Sequence, residues 1–249
     1  MGADEIRVSR ALREWWREGC ARDGWVRTSA AFAREIWEFL RDSTPGRRRQ
    51  RFGDVEFDWE HRVDTTSANV SWRSRLLGHF LSPYQPTDPA LFRHLMANEL
   101  MAALAVDCSK FVFVDLGSGK GRTLLMAAEY PFLKIVGVEV LPELHEIARN
   151  NIARYKSGSQ LCFDVEAVCA DARDYEFPHQ PLVLFLFNPM PEVGLRQVMG
   201  NLGRSVAEHP RPVVVLYHNP LLEQALAQCE WLEKTGGTHQ YSAYRTREI

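Results

Sequence analysis

The feature that most constrains this chain is an apolar run that ends in closely spaced glycines and then turns helical: Phe111-Val-Phe-Val-Asp115-Leu-Gly117-Ser-Gly119-Lys-Gly121-Arg122. An apolar, β-branched run of this length reads as a buried strand, and three glycines in five positions let the following turn approach a ligand closely because no Cβ blocks it. Residues 121–130 then take helical spacing, and the alternation continues. Residues 134–140 form a second apolar run and 142–155 a second helix, with strands near 164–169, 182–187 and 212–217. Helical patterns lie between the last two and after them. Strands apolar on both faces, separated by helix-length segments, predict a parallel sheet covered by helices on both sides. The tail, 231–234 and 240–245 across Gly236-Gly237, predicts a closing hairpin. The expected fold is therefore a doubly wound, mostly parallel α/β sheet of seven strands.

The segment before this alternation differs in kind. Residues 1–82 hold six of the seven tryptophans (Trp15, Trp16, Trp25, Trp37, Trp59 and Trp72) and few β-branched runs. Leu12, Trp15, Trp16 and Cys20, then Phe32, Ile36, Phe39 and Leu40, recur at helical spacing and predict two amphipathic helices. The turn-forming, basic stretch 42–51 beyond these helices reads as an exposed connection. The plan is thus a helical N-terminal cap over 1–82, on the substrate side, and a catalytic-type domain over 83–249. The tryptophans are either the core of that cap or a recognition surface. Asp88 before Pro89 marks an N-cap, opening a helix that runs to about residue 106.

Composition excludes several classes. Thirty basic against 32 acidic residues give a net charge of -2, so no whole-protein field drives the chain onto nucleic acid or an anionic membrane, and nucleic acid is disfavoured as a partner. The apolar stretch 181–187 is far short of the roughly 20 residues that cross a bilayer, and the first residues lack an apolar signal core, so a cytoplasmic protein is expected. Five cysteines form no C-x-x-C pair and no metal-ligand spacing, which suits reduced thiols used in packing.

The glycine spacing discriminates between ligands. A dinucleotide fingerprint needs its third glycine at position 122, which is arginine, and a phosphate-binding P-loop needs glycine at 114 and Ser or Thr after Lys120, where Val114 and Gly121 stand. What remains is acid-x-Gly-x-Gly-x-Gly. Glu139 ends the second strand, where a carboxylate accepts both hydroxyls of a ribose. Asp171 follows the third strand, with Asp174 a near alternative. This combination resembles the class I S-adenosylmethionine-dependent methyltransferases, with a Rossmann-like fold. The resemblance implies S-adenosylmethionine as cofactor, with Asp115, Gly117, Ser118, Gly119 and Gly121 holding its methionine and sugar portions, Glu139 its ribose, and Asp171 with Ala172 its adenine.

Tyr84-Gln-Pro86-Thr87 precedes the first strand at the distance at which Dot1-type histone-lysine methyltransferases, and a group of small lysine methyltransferases, carry a Tyr-x-Pro-Thr loop over the cofactor. The wider string from Phe57-Asp-Trp-Glu-His-Arg-Val-Asp64-Thr65 onward resembles bacterial methyltransferases. That implies a cofactor role for Thr87 and a catalytic one for Tyr84, whose ring either faces the sulfonium or packs under the helix. Asn188-Pro-Met-Pro191 is similar to the Asn/Asp-Pro-Pro-aromatic motif of methyltransferases acting on amino nitrogen, in which the Asn oxygen aims the acceptor amine. Met190 and Pro191 depart from that motif and remove the ring that would stack on a nucleobase. The acceptor expected is an amine, of a protein lysine or a small molecule. His218, in Tyr217-His-Asn-Pro220, is either a general base or structural. Two other classes stay open: a non-catalytic cofactor-binding interaction module, and a nicotinamide-dependent oxidoreductase. Oligomeric state is not readable from these features.

Overall fold

The computed structural model describes residues 3–42, 55–66 and 84–247. The basic stretch from 43 to 51, Trp72, Ser82, Pro83 and the expected domain boundary at 82/83 lie outside the described residues.

Seven strands form one sheet in the order β3-β2-β1-β4-β5-β7-β6: β1 Val112–Leu116, β2 Lys134–Glu139, β3 Val165–Cys169, β4 Leu182–Leu186, β5 Val213–His218, β6 Leu232–Gly237 and β7 Tyr241–Thr246. The first five are mutually parallel, Val114 pairing with Val136 on one side and Leu184 on the other; β7 runs antiparallel to both β5 and β6. Every residue of β1 and β4 is buried, as the continuous apolar runs require. Their alternate side chains feed two cores. Phe113 and Phe185 meet Phe92 on one face, at ring-centroid distances of 6.1 and 5.7 Å. Val114 and Leu184 join Leu195 and Val198 on the other. Each such side chain contributes about 1.5–3 kcal/mol by leaving water.

Chain order reverses between β1 and β4. The chain leaves β1 toward β2 and returns to β4 on the far side, so a crevice opens beyond the carboxyl ends of these strands, where open α/β sheets take ligands. This doubly wound, Rossmann-like sheet is the one expected.

The helices, in chain order, are α1 Ala3–Asp42, α2 Val55–His61, α3 Pro89–His94, α4 Arg122–Ala127, α5 Pro142–Arg154, α6 Glu192–Glu208 and α7 Glu223–Ala227. Asp88 caps α3 as its sequence requires, accepting from the backbone N–H groups of Ala90 and Leu91. Beyond α3 the expected α-helix widens into a π-helical stretch, Leu95–Ala103, in which Leu95, Met96 and Leu100 are all buried and Glu99 reaches the Tyr241 hydroxyl of β7. α1 is two helices: Gly24, at φ 78° and ψ 159°, breaks it. The halves pack on one another, with Trp15 and Trp16 against Phe32 at 6.3 and 5.8 Å and Gly19 against Thr28. Among the described residues no helix is long and apolar enough to cross a membrane.

Candidate active site

The loop after β1 is shaped by what its glycines touch. Gly117 (φ 76°) lies against Pro189, where a Cβ would fall 2.8 Å from the proline Cβ; one on Gly119 (φ 55°) would fall 2.3 Å from the Tyr84 ring. Neither position admits a side chain. Gly117 and Ser118 donate their amides to the Val138 carbonyl at 2.8 and 3.1 Å, tying the loop to β2. Glu139, at the end of β2, completes the cradle: Oε2 accepts from the Gly119 amide at 2.9 Å and Oε1 from the Leu141 amide at 2.8 Å. Each oxygen keeps lone-pair capacity for a ligand hydroxyl. Burial pushes the Glu139 carboxyl above its ordinary pKa. Asp115 is pushed further, to about 8, first by burial and then by the charge of Glu139, against a hydrogen bond from Thr123.

The loop is braced from the N-terminal side. The Asp58 carboxylate accepts from the amides of Thr65 and Thr66 at 2.7 and 2.9 Å, and also from the Thr65 hydroxyl. Arg122, 2% exposed, donates to Thr65 Oγ1 at 2.6 Å and lies 3.4 Å from Asp58. The fully buried Lys120 reaches Asp64 at 2.8 Å. Asn151 of α5 binds the carbonyls of both Asp64 and Lys120. These four charged side chains hold the turn in place, a role the glycine spacing did not reveal. The signal was available: Lys120 and Arg122 enter a buried helix, and buried charges need counter-ions.

Two adjoining cavities cross the strand ends. The larger, about 1010 Å³ with its open mouth, is lined by Tyr84, Thr87, Asp115, Ser118, Glu139 and Asn188, together with Gly117 and Gly119. The smaller, about 680 Å³, shares Gly117, Val140 and Pro189 with it and continues past Asp171, Ala172 and Met190 to Trp15 and Glu18 of α1. The structure therefore brings ten of the residues expected from sequence into one elongated cleft. Gly121 and His218 line neither cavity. Gly121 caps α4 in a left-handed conformation.

Tyr84 satisfies both readings of its ring, lining the cleft while packing on Gly119, with its hydroxyl donating to the Thr65 carbonyl. Asn188, at φ 44°, is fixed from both ends: Nδ2 donates to the Asn219 carbonyl, and the Tyr217 hydroxyl donates to Oδ1, each at 2.8 Å. A carbonyl can only accept, so this pair of bonds also settles which end of the amide is oxygen. Asp171 caps the short turn after β3 and is bound by Arg173 four times, Oδ1 from the backbone N–H and Nε, Oδ2 from Nε and Nη2. Asp174 is exposed and lines neither cavity. The His218 ring packs on Phe187 with centroids 3.9 Å apart and planes tilted by 33°, and burial lowers its pKa to about 4, so it is neutral at pH 7. Its Nδ1 has no hydrogen-bond partner among the described residues, nor has the buried Ser118 hydroxyl. Among the same residues no cluster of His, Cys, Asp or Glu could hold a metal ion.

Residues 113–208 match a family model described as a methyltransferase domain. No curated protein matches the chain. Similar solved structures include an RNA methyltransferase from Salinibacter ruber in complex with S-adenosyl-L-homocysteine, 20% identical over 66% of this chain and 95% of that one, with a TM-score of 0.45. A ribosomal protein L11 methylase from Lactobacillus delbrueckii subsp. bulgaricus is 17% identical over 55% and 70%, at 0.39. A precorrin-6y C5,15-methyltransferase from Geobacter metallireducens is 15% identical over 56% and 80%, at 0.41. Over residues 113–208 the chain is thus similar to a methyltransferase domain, and the cofactor that this similarity implies is S-adenosylmethionine. The cradle fits that molecule: a buried carboxylate with spare acceptor sites at the end of β2, a turn too tight for any Cβ, and an orphan hydroxyl at Ser118.

Proposed function

We propose that the chain transfers the methyl group of S-adenosylmethionine to an amine nitrogen, with protein lysine the first acceptor class to test. The observation that carries this is the fixed amide of Asn188. One N–H of its Nδ2 is taken by the Asn219 carbonyl, and one lone pair of Oδ1 by Tyr217, which burial keeps protonated with a pKa near 12. Oδ1 keeps a second lone pair, an acceptor that suits a substrate presenting an N–H. Holding that N–H directs the nitrogen lone pair along one line, the alignment an in-line displacement needs. Bound cofactor supplies the electrophilic methyl. In this reading Asp115, Gly117, Ser118, Gly119 and Thr87 hold its methionine end, Gly121 caps the helix behind them, Glu139 takes the ribose, and Asp171 and Ala172 frame the adenine. Tyr84 covers the reacting end beside Asn188. His218, neutral and packed on Phe187, supports the wall rather than moving a proton.

Residues 83–249 are then the cofactor-binding domain and 1–82 its cap, in line with the resemblance of Tyr84-Gln-Pro-Thr87 to the loop of Dot1-type enzymes. The test is transfer of a radiolabelled methyl group to lysine-bearing proteins and peptides, small amines and RNA. Label recovered as methylated lysine, lost in Asn188→Ala while S-adenosylhomocysteine still binds, is the expected result. Label recovered in RNA, or as an alkali-labile ester, overturns the amine reading.

A further inference from the structure

The N-terminal helix was expected on the substrate side, yet Trp15 and Glu18, three residues apart and so on one face of α1, line the smaller cavity beyond β3 and β4. We propose that the N-terminal hairpin is part of the cofactor site itself, with Trp15 roofing the adenine pocket and Glu18 accepting from the exocyclic amine of the base. The inference rests on S-adenosylmethionine as cofactor and goes beyond the glycine loop, Glu139 and Asp171 in assigning cofactor recognition to the hairpin.

Three observations carry it. First, the cavity wall otherwise consists of Val138, Val140, Ala170, Met190 and their neighbours, an apolar slot suited to a flat ring, and Trp15 supplies its large aromatic surface. Second, a carboxylate offers about four lone-pair sites, and Arg173 occupies Asp171 with four hydrogen bonds, two on each oxygen, at 2.6–3.1 Å. An amine entering the slot therefore finds Asp171 already saturated. Third, among the described residues Glu18 is the other carboxylate lining this cavity. The hairpin is held in place to serve: Gly24 turns the chain back, and Phe32 packs against Trp15 from the returning half.

The experiment compares S-adenosylhomocysteine with its deaminated analogue S-inosylhomocysteine, in which a carbonyl replaces the exocyclic amine, by calorimetry on the full chain. Wild type should favour the adenosyl ligand by roughly tenfold or more, the scale of a hydrogen bond to a charged group. Glu18→Gln should erase that preference, because an amide can donate to the carbonyl as readily as it accepts from the amine. Trp15→Phe should keep the fold, weaken both ligands and remove most of the ligand-induced change in tryptophan fluorescence. If Glu18→Gln retains wild-type discrimination, or if the Trp15→Phe fluorescence response is unchanged, the hairpin does not read the base, while cofactor binding stands. A wild-type chain that binds neither ligand overturns the cofactor assignment and this inference together.

Discussion

Tyr217 holds Asn188 from the neighbouring strand, its hydroxyl donating to Oδ1 at 2.8 Å while its own oxygen accepts from the Leu222 amide at 3.3 Å. The relay runs from a loop after β5, through a fully buried phenol, to the amide that faces the cleft. Tyr217→Phe removes one hydroxyl and leaves Asn188 anchored only through Nδ2. The expected outcome is methyl transfer slowed roughly tenfold, the worth of one hydrogen bond of about 1–1.5 kcal/mol, with the dissociation constant for S-adenosylhomocysteine within twofold of wild type. Single-turnover rates alongside calorimetry separate the two; a variant that loses affinity and keeps its rate refutes the relay.

Gly119→Ala tests the tightest contact in the cradle. The new Cβ meets the Tyr84 ring at 2.3 Å and the backbone sits at φ 55°, so the ring must move and the residue must accept a left-handed conformation that costs about 1–2 kcal/mol. Lower thermal stability and loss of S-adenosylhomocysteine binding are expected together. Gly200→Ala in α6, where a Cβ meets nothing, is the control and should gain about 0.5–1 kcal/mol. Equal melting points for the two variants would contradict the steric argument.

The brace on the glycine loop gives a third prediction. Asp58 and Arg122 are both almost completely buried, and Asp58 also satisfies the Thr65 and Thr66 amides. Removing one member of a buried pair leaves the other charge uncompensated, so Asp58→Ala should cost about 3–5 kcal/mol by urea unfolding. Asp64→Ala, whose carboxylate is 38% exposed and open to replacement by water, should cost clearly less. The reverse order would mean that Lys120, not Arg122, carries the loop.

How far the sequence could be read depends on the physics of each signal. Strands apolar on both faces announce a covered parallel sheet, and all seven were legible, as were the glycine turn and Glu139, because spacing alone separates this turn from the dinucleotide and P-loop types. Tertiary partnerships were not legible. Nothing local in Asp171-Ala-Arg173 says that the arginine will fold back on the aspartate two residues before it. The seating of Trp15 on the cleft depends on Gly24 turning the chain, a backbone choice that periodicity treats as one more helical position. His218 read as a candidate base from its place at the end of the fifth strand; its packing on Phe187 and its loss of basicity come from burial that only the sheet and neighbouring loops create.

Asp115 and His218 titrate in opposite directions, which makes their contributions to stability separable. The folded Asp115 carboxyl, near 8, holds its proton where the unfolded one, near 4, has released it. Its contribution is therefore complete below about pH 4 and lost as pH rises to about 8. His218 falls to about 4 in the folded chain, so its contribution is present above about 6.5 and lost as pH falls toward 4. Melting temperatures of His218→Phe should thus decline smoothly from pH 5 to pH 8.5, and the further change Asp115→Asn should flatten that decline. The same acid should couple to the ligand. S-adenosylmethionine brings positive charge toward a cavity in which burial holds Asp115 and Glu139 toward their neutral forms. Its binding at pH 7 should therefore release about one proton, measured as a dependence of calorimetric enthalpy on buffer ionisation enthalpy. S-adenosylhomocysteine, which lacks the sulfonium charge, should release less, and Asp115→Asn should remove most of the difference. Binding enthalpies of the wild type that are independent of buffer would place the titrating proton elsewhere.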